Sequence, residues 1–117
     1  MTGNSFEAST RLRDGVAVLD FVGDIDARAE GSLTGAYAEA SQSRPSTILM
    51  NFERVNYMNS TGIALIVGVL ARARKEGRTI AVCELSDHFR EIFEITRLVD
   101  YMGVYENEAS AIASAGH

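Results

Sequence analysis

The sequence predicts a single α/β domain in which a mixed β-sheet, opened by an N-terminal hairpin, packs against about four α-helices. The 117 residues are 46% hydrophobic and 23% charged, the composition of one ordinary globular domain. Asp14-Gly15, a pair that favours a tight hairpin turn, separates two strand-like runs. Beyond them, short apolar runs alternate with segments of helical periodicity, which is typical of parallel strands joined by crossover helices.

The first part of the chain predicts the hairpin and one helix. From Phe6 to Leu12 apolar or small residues alternate with polar ones, the period of a strand with one face in water. The second strand is predicted over Val16–Val22, and Gly-Asp-Ile-Asp at residues 23–26 ends it. Asp26 is the expected N-cap of a helix. The apolar stripe of that helix consists of Ala29, Leu33, Ala36, Tyr37 and Ala40.

Two further apolar runs, Thr47–Phe52 and Thr79–Leu85, have the appearance of central strands that are buried on both faces. The strongest helical pattern follows the first of them, after Asn59-Ser60-Thr61-Gly62. Ser60 is its expected N-cap and Gly77 its expected C-cap. The apolar stripe of this helix consists of Ile63, Ile66, Val67, Leu70 and Ala73.

A third helix, a short strand and a final helix complete the predicted order. Ser86 is the expected N-cap of the third helix, a last short strand lies within Val99–Tyr105, and the final helix spans Glu106–Ala115. The single domain covers residues 1–117, of which 1–5 and 114–117 are expected to fray.

Composition also excludes several classes of function. A formal net charge of −5 argues against nucleic-acid binding, which needs a clustered cationic face. The single cysteine, Cys83, forms no internal disulfide, and no Cys or His cluster has the spacing of a zinc site. The N-terminus lacks the pattern of a signal peptide, and the longest apolar run, Ile63–Ala71, is half a membrane span. A cytoplasmic protein is expected.

Little in the sequence indicates catalysis. His88 and His117 have no carboxylate or thiol nearby in the sequence, and Cys83 lies in an apolar strand where its thiol is expected to be inert. Asp24 and Asp26 point to opposite faces of an extended chain, so they are not a ready acid/base pair. No phosphate-binding loop or nucleophile elbow is present. We therefore expect a protein that is not an enzyme and needs no cofactor or metal.

The segment Asn59-Ser60-Thr61-Gly62 is the most informative one, because it follows a strand and opens the best helix. The first N–H groups of a helix have no intrahelical partners and favour an anion. Ser60 is thus an N-cap or, alternatively, a site where a phosphate would be tolerated while the surrounding surface changes charge. Binding of a small molecule or nucleotide at the same helix end is a third interpretation.

Four segments in order carry a family resemblance. The run Val55–Val67, preceded by Thr47–Phe52 and followed by Arg78–Leu85, resembles the anti-anti-sigma factor family, the bacterial STAS domains. Gly-Asp-Ile-Asp at residues 23–26 is similar to that family's Gly-x-Leu-Asp loop, and Phe89–Leu98 to the segment before its last strand. The resemblance runs from the opening hairpin to Gly103.

The resemblance implies partner switching. The unphosphorylated protein binds an anti-sigma factor that is also a serine kinase, and a sigma factor is thereby released. Phosphorylation of the serine that opens the second helix, here Ser60, ends the binding, and a phosphatase restores it. Thr61 is the second candidate acceptor. The family's loop aspartate, which lies beside the serine, corresponds to Asp26. The partner-binding residues implied in this way, together with their neighbours, are Asp24, Asp26, Met58, Asn59, Ser60, Thr61 and Ile63.

Asn59 departs from the family pattern, in which many members have aspartate before the serine. An asparagine caps a helix but supplies no charge to a kinase. This difference favours the alternative hypothesis, an STAS subunit that is never phosphorylated and belongs to a stress-signalling scaffold or a lipid-transport complex.

Overall fold

The computed structural model describes residues 5–115, which form one five-stranded sheet with strand order β1-β2-β3-β4-β5. The β1–β2 pair is antiparallel, and every other neighbouring pair is parallel. This confirms the mixed sheet that the sequence predicts. The strands are β1 (Glu7–Arg13), β2 (Val16–Ile25), β3 (Thr47–Met58), β4 (Thr79–Cys83) and β5 (Gly103–Tyr105).

Four α-helices join or follow the strands, again as predicted, together with two short 3₁₀ turns, Ala27–Ala29 and Leu98–Tyr101. Within residues 5–115, no helix is both long and apolar enough to cross a bilayer. The helices are α1 (Glu30–Ser41), α2 (Ser60–Lys75), α3 (Asp87–Ile95) and α4 (Glu108–Ala115).

The hairpin forms where the sequence places it. Asp14 and Gly15 have φ angles of 51° and 83°, and two consecutive positive φ angles define a type I′ turn. Arg13 pairs with Val16 across this turn. Alternate residues of β2 lie on opposite faces of the sheet. The register therefore determines which side chains are buried on each face.

The sheet has a thick core on one face and a thin one on the other. Leu19, Phe21 and Phe52 belong to the large cluster, which α1, α2 and α3 cover. Val18 and Leu49 point to the opposite face, where α4 is the only helix among residues 5–115 to contribute, through Ala111 and Ile112. α4 therefore has little apolar contact with which to hold its position.

Glu108 adds a polar attachment between α4 and the sheet. Its carboxylate binds Arg11 and Arg13 of β1, and its Oε1 accepts a hydrogen bond from Asn51 Nδ2 at 3.1 Å. Arg11 also binds Asp20 on the neighbouring strand. The hydrogen bond from Arg11 is the main cause that lowers the pKa of Glu108 to about 2. Residues from three strands are thus tied to the first turn of α4.

Several strand bounds differ from the prediction. β2 and β3 continue as a parallel pair to Ile25 and Met58, whereas the sequence analysis ends them at Val22 and Phe52. β4 stops at Cys83 rather than Leu85, because Glu84 adopts a positive φ of 61°. Its N–H then bonds to the carbonyl of Glu106 and turns the chain away.

The C-terminal part also differs from the prediction. The first half of the segment predicted as a strand, Val99–Tyr105, belongs to the 3₁₀ turn, and only its last three residues join the sheet. Ser114 and Ala115, expected to fray, complete α4, and the Ser114 hydroxyl lies 2.8 Å from Tyr105 Oη. Ser5 is exposed, and the other residues expected to fray, 1–4 and 116–117, lie outside the described part of the chain.

The Glu108 attachment makes a testable contribution to stability. We expect Glu108→Gln to lower the free energy of unfolding at pH 7 by about 1 kcal/mol, because two arginines lose their carboxylate. The folded-state pKa lies below the ordinary value of 4.5, so this contribution is present above pH 4.5 and is lost as the pH falls towards 2. Urea unfolding of both proteins at pH 7 and near pH 2 measures it.

The matched control is Glu106→Gln, which removes the same charge from an exposed side chain two residues earlier. Equal losses for the two variants at pH 7, or a Glu108→Gln loss that persists undiminished near pH 2, would contradict the assignment.

Candidate functional site

The two polar segments that the sequence analysis singles out meet at one edge of the sheet. β2 and β3 are parallel, and their last paired residues are Ile25 and Met58. Asp26 directly follows the end of β2, and Asn59 directly follows the end of the neighbouring strand β3. The N–H of Asn59 donates to the carbonyl of Ile25 over 3.3 Å, which joins the two ends directly. Open α/β sheets bind ligands and partners at this edge.

The start of α2 is held against β2 by a contact that only glycine permits. A Cβ placed on Gly62 would lie 1.9 Å from the carbonyl oxygen of Ile25 and 2.7 Å from its carbon. No side chain fits there, because atoms at such distances overlap. The first turn of α2 consequently rests on the backbone of β2, so the position of its N-terminus is set by the sheet.

Asn59, and not Ser60, is the N-cap of α2, so the predicted cap is wrong by one residue. Asn59 has an extended backbone, and its Oδ1 accepts a hydrogen bond of 2.9 Å from the N–H of Gly62. Its carbonyl accepts the N–H of Ile63 over 2.9 Å. Ser60 is the first helical residue and its side chain is exposed. The serine hydroxyl is therefore not needed to cap the helix.

Asp26 stands at the end of β2 as predicted, and it caps the 3₁₀ turn rather than α1 itself. Its Oδ1 accepts the N–H of Arg28 over 2.9 Å, and its Oδ2 lies 2.8 Å from the Arg28 guanidinium. This side-chain hydrogen bond is the main cause that lowers the pKa of Asp26. The carboxylate is thus ionised near neutral pH and held in place. Arg28 is not among the residues predicted from the sequence, although its spacing of two residues from an N-cap aspartate signals such a pair.

Two of the residues predicted to bind a partner lie beneath the surface. Asp24 is 7% exposed and Met58 is 6% exposed, with Met58 in the main core. Asp24 takes part in interactions within the fold. The hydrogen bond to Asp26 is the main cause that raises the pKa of Arg28, and the charge of Asp24 is a smaller one. β2 and β3 run further than expected, and this carries the side chains of Asp24 and Met58 into the sheet. Their part in partner binding stays a prediction. Ile63 is half-buried against the core.

The remaining residues of the predicted patch form a small polar surface. Ser60 and Thr61 are exposed, while Asn59 and Asp26 are partly exposed. We call Asp26, Asn59, Ser60 and Thr61 the switch surface. It presents two hydroxyls at the positive end of the α2 dipole, where added negative charge is electrostatically favourable.

The described part of the chain shows neither a metal site nor a reactive thiol. Over residues 5–115, no three His, Cys, Asp or Glu side chains are grouped as metal ligands. Cys83 is fully buried, and burial is the main cause that raises the pKa of its thiol to about 12. Because the thiolate is the reactive form, this thiol is protonated and inert near neutral pH.

Comparison with known protein families matches residues 7–111 to the STAS domain. The match covers most of the chain and includes all five strands and the switch surface. The chain therefore belongs to the STAS domain family.

Several of the similar proteins are named anti-sigma factor antagonists. The anti-sigma-B factor antagonist of Staphylococcus aureus is 33% identical over 84 residues, which cover 72% of this chain and 78% of that protein. Two solved structures share the fold. An anti-sigma factor antagonist from Mycobacterium paratuberculosis aligns with a TM-score of 0.83 at 19% identity, covering 97% of this chain and 96% of that one. The Bacillus cell fate determinant SpoIIAA in its phosphorylated form aligns with a TM-score of 0.68 at 24% identity, covering 93% and 97%.

The contact at Gly62 gives a direct test of how α2 is anchored. We expect Gly62→Ala to lower the free energy of unfolding by about 3 kcal/mol, because the added methyl group overlaps a backbone carbonyl that cannot move freely. Thermal and urea unfolding monitored by circular dichroism measure the effect.

Gly68→Ala is the matched control, since Gly68 lies in the same helix and, apart from its chain neighbours and the adjacent helix backbone, no described atom is within 4 Å of the position that an added Cβ would take. Replacing an exposed helical glycine by alanine stabilises a helix by up to about 1 kcal/mol. If Gly62→Ala were as stable as Gly68→Ala, the close approach of α2 to β2 would be refuted.

Proposed function

We propose that this protein is an anti-sigma factor antagonist that binds an anti-sigma serine kinase in its unphosphorylated state and is switched off by phosphorylation of Ser60. Binding of the kinase frees a sigma factor. The observation that carries the proposal is the exposed hydroxyl of Ser60 on a helix end whose capping is done by Asn59. The names of its relatives support the anti-sigma partner.

The position of Ser60 suits a modification that must leave the fold intact. A phosphate adds about −1.5 to −2 charge at neutral pH. At the first residue of α2 this charge faces unpaired N–H groups and the positive end of the dipole, so it does not oppose the helix. No described hydrogen bond uses the Ser60 hydroxyl, and its modification therefore breaks no hydrogen bond that the structure describes within residues 5–115.

The same charge would alter binding strongly. Asp26 already contributes an ionised carboxylate to the switch surface, and its charge is partly balanced by Arg28. A phosphate on Ser60 makes this surface markedly anionic. A partner that binds closely against neutral hydroxyls would then have to remove water from the phosphate and accept its negative charge in the interface. Its affinity therefore falls.

Asn59 is compatible with this switch. Its contribution in the structure is to cap α2 through Oδ1, a role in which asparagine and aspartate are about equally effective. The neutral side chain therefore preserves the local backbone that presents Ser60. Recognition by the kinase would rest on the exposed backbone and hydroxyls, with no help from a carboxylate at residue 59.

Thr61 is the alternative acceptor, because it is also exposed and lies one residue further into the helix. The proposal includes a phosphatase that returns the protein to its binding-competent form, and a cytoplasmic setting in which kinase, phosphatase and sigma factor meet.

Single substitutions at Ser60 test the switch. The protein is incubated with the anti-sigma kinase of the same cell and ATP, and intact mass and complex formation on a sizing column are measured. We expect the unmodified protein and Thr61→Ala to gain one phosphate and Ser60→Ala to gain none while binding the kinase throughout. Ser60→Asp should fold normally and bind at least about tenfold more weakly, because a fixed charge replaces the hydroxyl.

Ser46→Asp is the matched control, because Ser46 is exposed at the opposite end of β3. It should bind as tightly as the unmodified protein. Phosphate on Ser60→Ala but not on Thr61→Ala would move the switch to Thr61. A stable complex that forms with no phosphate transfer would favour the permanently unphosphorylated subunit instead.

A further inference from the structure

A groove lies on the face of the sheet that α1, α2 and α3 cover, away from the switch surface. It has a volume of about 690 Å³ and runs between the C-terminal half of α2, the start of β4 and the 3₁₀ turn before β5. This volume is within the range of small-molecule sites. Arg74 lies fourteen residues beyond Ser60 in α2, about 20 Å along the helix axis. The groove is therefore separate from the proposed phosphorylation site.

The walls of the groove are mostly apolar, and part of that surface is open to water. Leu70, Ile80 and Leu98 are buried at its base, whereas Val67 and Tyr101 are 47% and 63% exposed at its rim. Large hydrophobic side chains that are exposed around one groove are typical of a site that binds an apolar ligand. The base and the rim together suit a flexible hydrocarbon chain.

One end of the groove is cationic, although the protein as a whole is acidic. Arg74 and Arg78 line it, and Arg72 and Lys75 lie close by in the sequence, with Glu76 as the sole acidic residue over positions 72–78. Glu76 is engaged by the side chains of Tyr37, Arg72 and Arg78. Asp100, which also lines the groove, is paired with Arg97 at 2.7 Å.

Arg78 is paired with Glu76, but donors of two arginines at this end of the groove have no acceptor among residues 5–115. Arg74 makes no ion pair or hydrogen bond through its side chain to any residue in the range 5–115. The Nε–H of Arg78 is buried and, over the same range, has no acceptor. A buried donor without an acceptor is costly and adds positive potential to the adjoining space. An anion in the groove would pair with the exposed guanidinium of Arg74 and would be favoured by the positive potential near Arg78.

We propose that this groove binds a soluble, single-chain alkyl carboxylate. The carboxylate lies at Arg74, in the positive potential of Arg78, and the alkyl chain covers Val67, Leu70 and Tyr101. This ligand combines the two properties of the groove, an apolar wall and an unpaired cation at one end. Such a site gives the protein an input that is independent of phosphorylation at Ser60.

The experiment is a titration of the ¹⁵N-labelled protein with octanoate, decanoate and 1-octanol, followed by ¹H–¹⁵N correlation spectra. We expect saturable shifts of amides in residues 67–80 and 96–101, and none at 59–62. Decanoate should bind about three- to tenfold more tightly than octanoate, because two more methylenes are covered. 1-Octanol, which lacks the charge, should bind more weakly than octanoate.

Two charge variants assign the carboxylate. Arg74→Gln should weaken decanoate about two- to fivefold, the effect of one partly exposed ion pair. Lys75→Gln removes the same charge from the adjacent residue, which does not line the groove, and should leave the affinity unchanged. Val67→Thr keeps the shape of the rim but adds a hydroxyl, and should weaken decanoate while retaining the preference for the anion.

Three outcomes would overturn the proposal. The first is the lack of saturable shifts in the groove with either carboxylate. The second is an equal effect of Arg74→Gln and Lys75→Gln, which would mean that only net charge matters. The third is sedimentation of the protein with phosphatidylglycerol vesicles but no binding of monomeric carboxylate, which would identify a membrane surface as the occupant. Because each readout is binding to the unphosphorylated chain, failure of the kinase experiment would not affect this result.

Discussion

The close approach of α2 to the carbonyl of Ile25 is the constraint on which the rest of the site depends. Gly62 allows the helix to rest on the backbone of β2, with no space left for a side chain. The contact joins a helix end to a strand end at the edge where parallel strands finish. Because backbone atoms form both sides of the contact, the N-terminus of α2 has little freedom to move relative to the sheet.

Because the helix is anchored in this way, neighbouring residues have separate structural roles. Gly62 sets the position of the helix and Asn59 satisfies its first turn, while Asp26 and Arg28 fix the adjoining strand end. Ser60 is left without a structural task, although its surroundings are rigid. A covalent anion at such a residue would change the charge of the surface with little effect on the packing beneath it, and this is the physical basis of the proposed switch.

Much of the architecture follows from local sequence signals, and the errors have identifiable causes. Asp14-Gly15 specifies its turn because few residue pairs accept two positive φ angles. Thr47–Phe52 reads clearly as a strand, but its continuation to Met58 does not, because exposed and buried residues there follow no period of two. That missed extension is also why the sequence does not show that Met58 and Asp24 are buried.

The sequence places residues 23–26 and 59–62 at one edge of the sheet, as the structure does, but it does not give the detail of that edge. Both Asn59 and Ser60 are good capping residues, and only the backbone conformation at residue 59 decides between them. Similarly, spacing places Val67 in the buried stripe of α2, whereas Val69 occupies that position and Val67 remains exposed at the groove. The spacing of apolar residues does not determine how a helix is rotated against its sheet. In α2 the contact at Gly62 fixes this rotation.

The most direct test of this account is a comparison of ¹H–¹⁵N spectra of the protein with and without phosphoserine incorporated at position 60. An anchored helix end predicts shifts confined to residues 24–28 and 59–63, with unchanged amides in the C-terminal half of α2 and in β4. Shifts that spread along α2 and across the sheet would show that the phosphate moves the helix, and would contradict a switch that acts through surface charge.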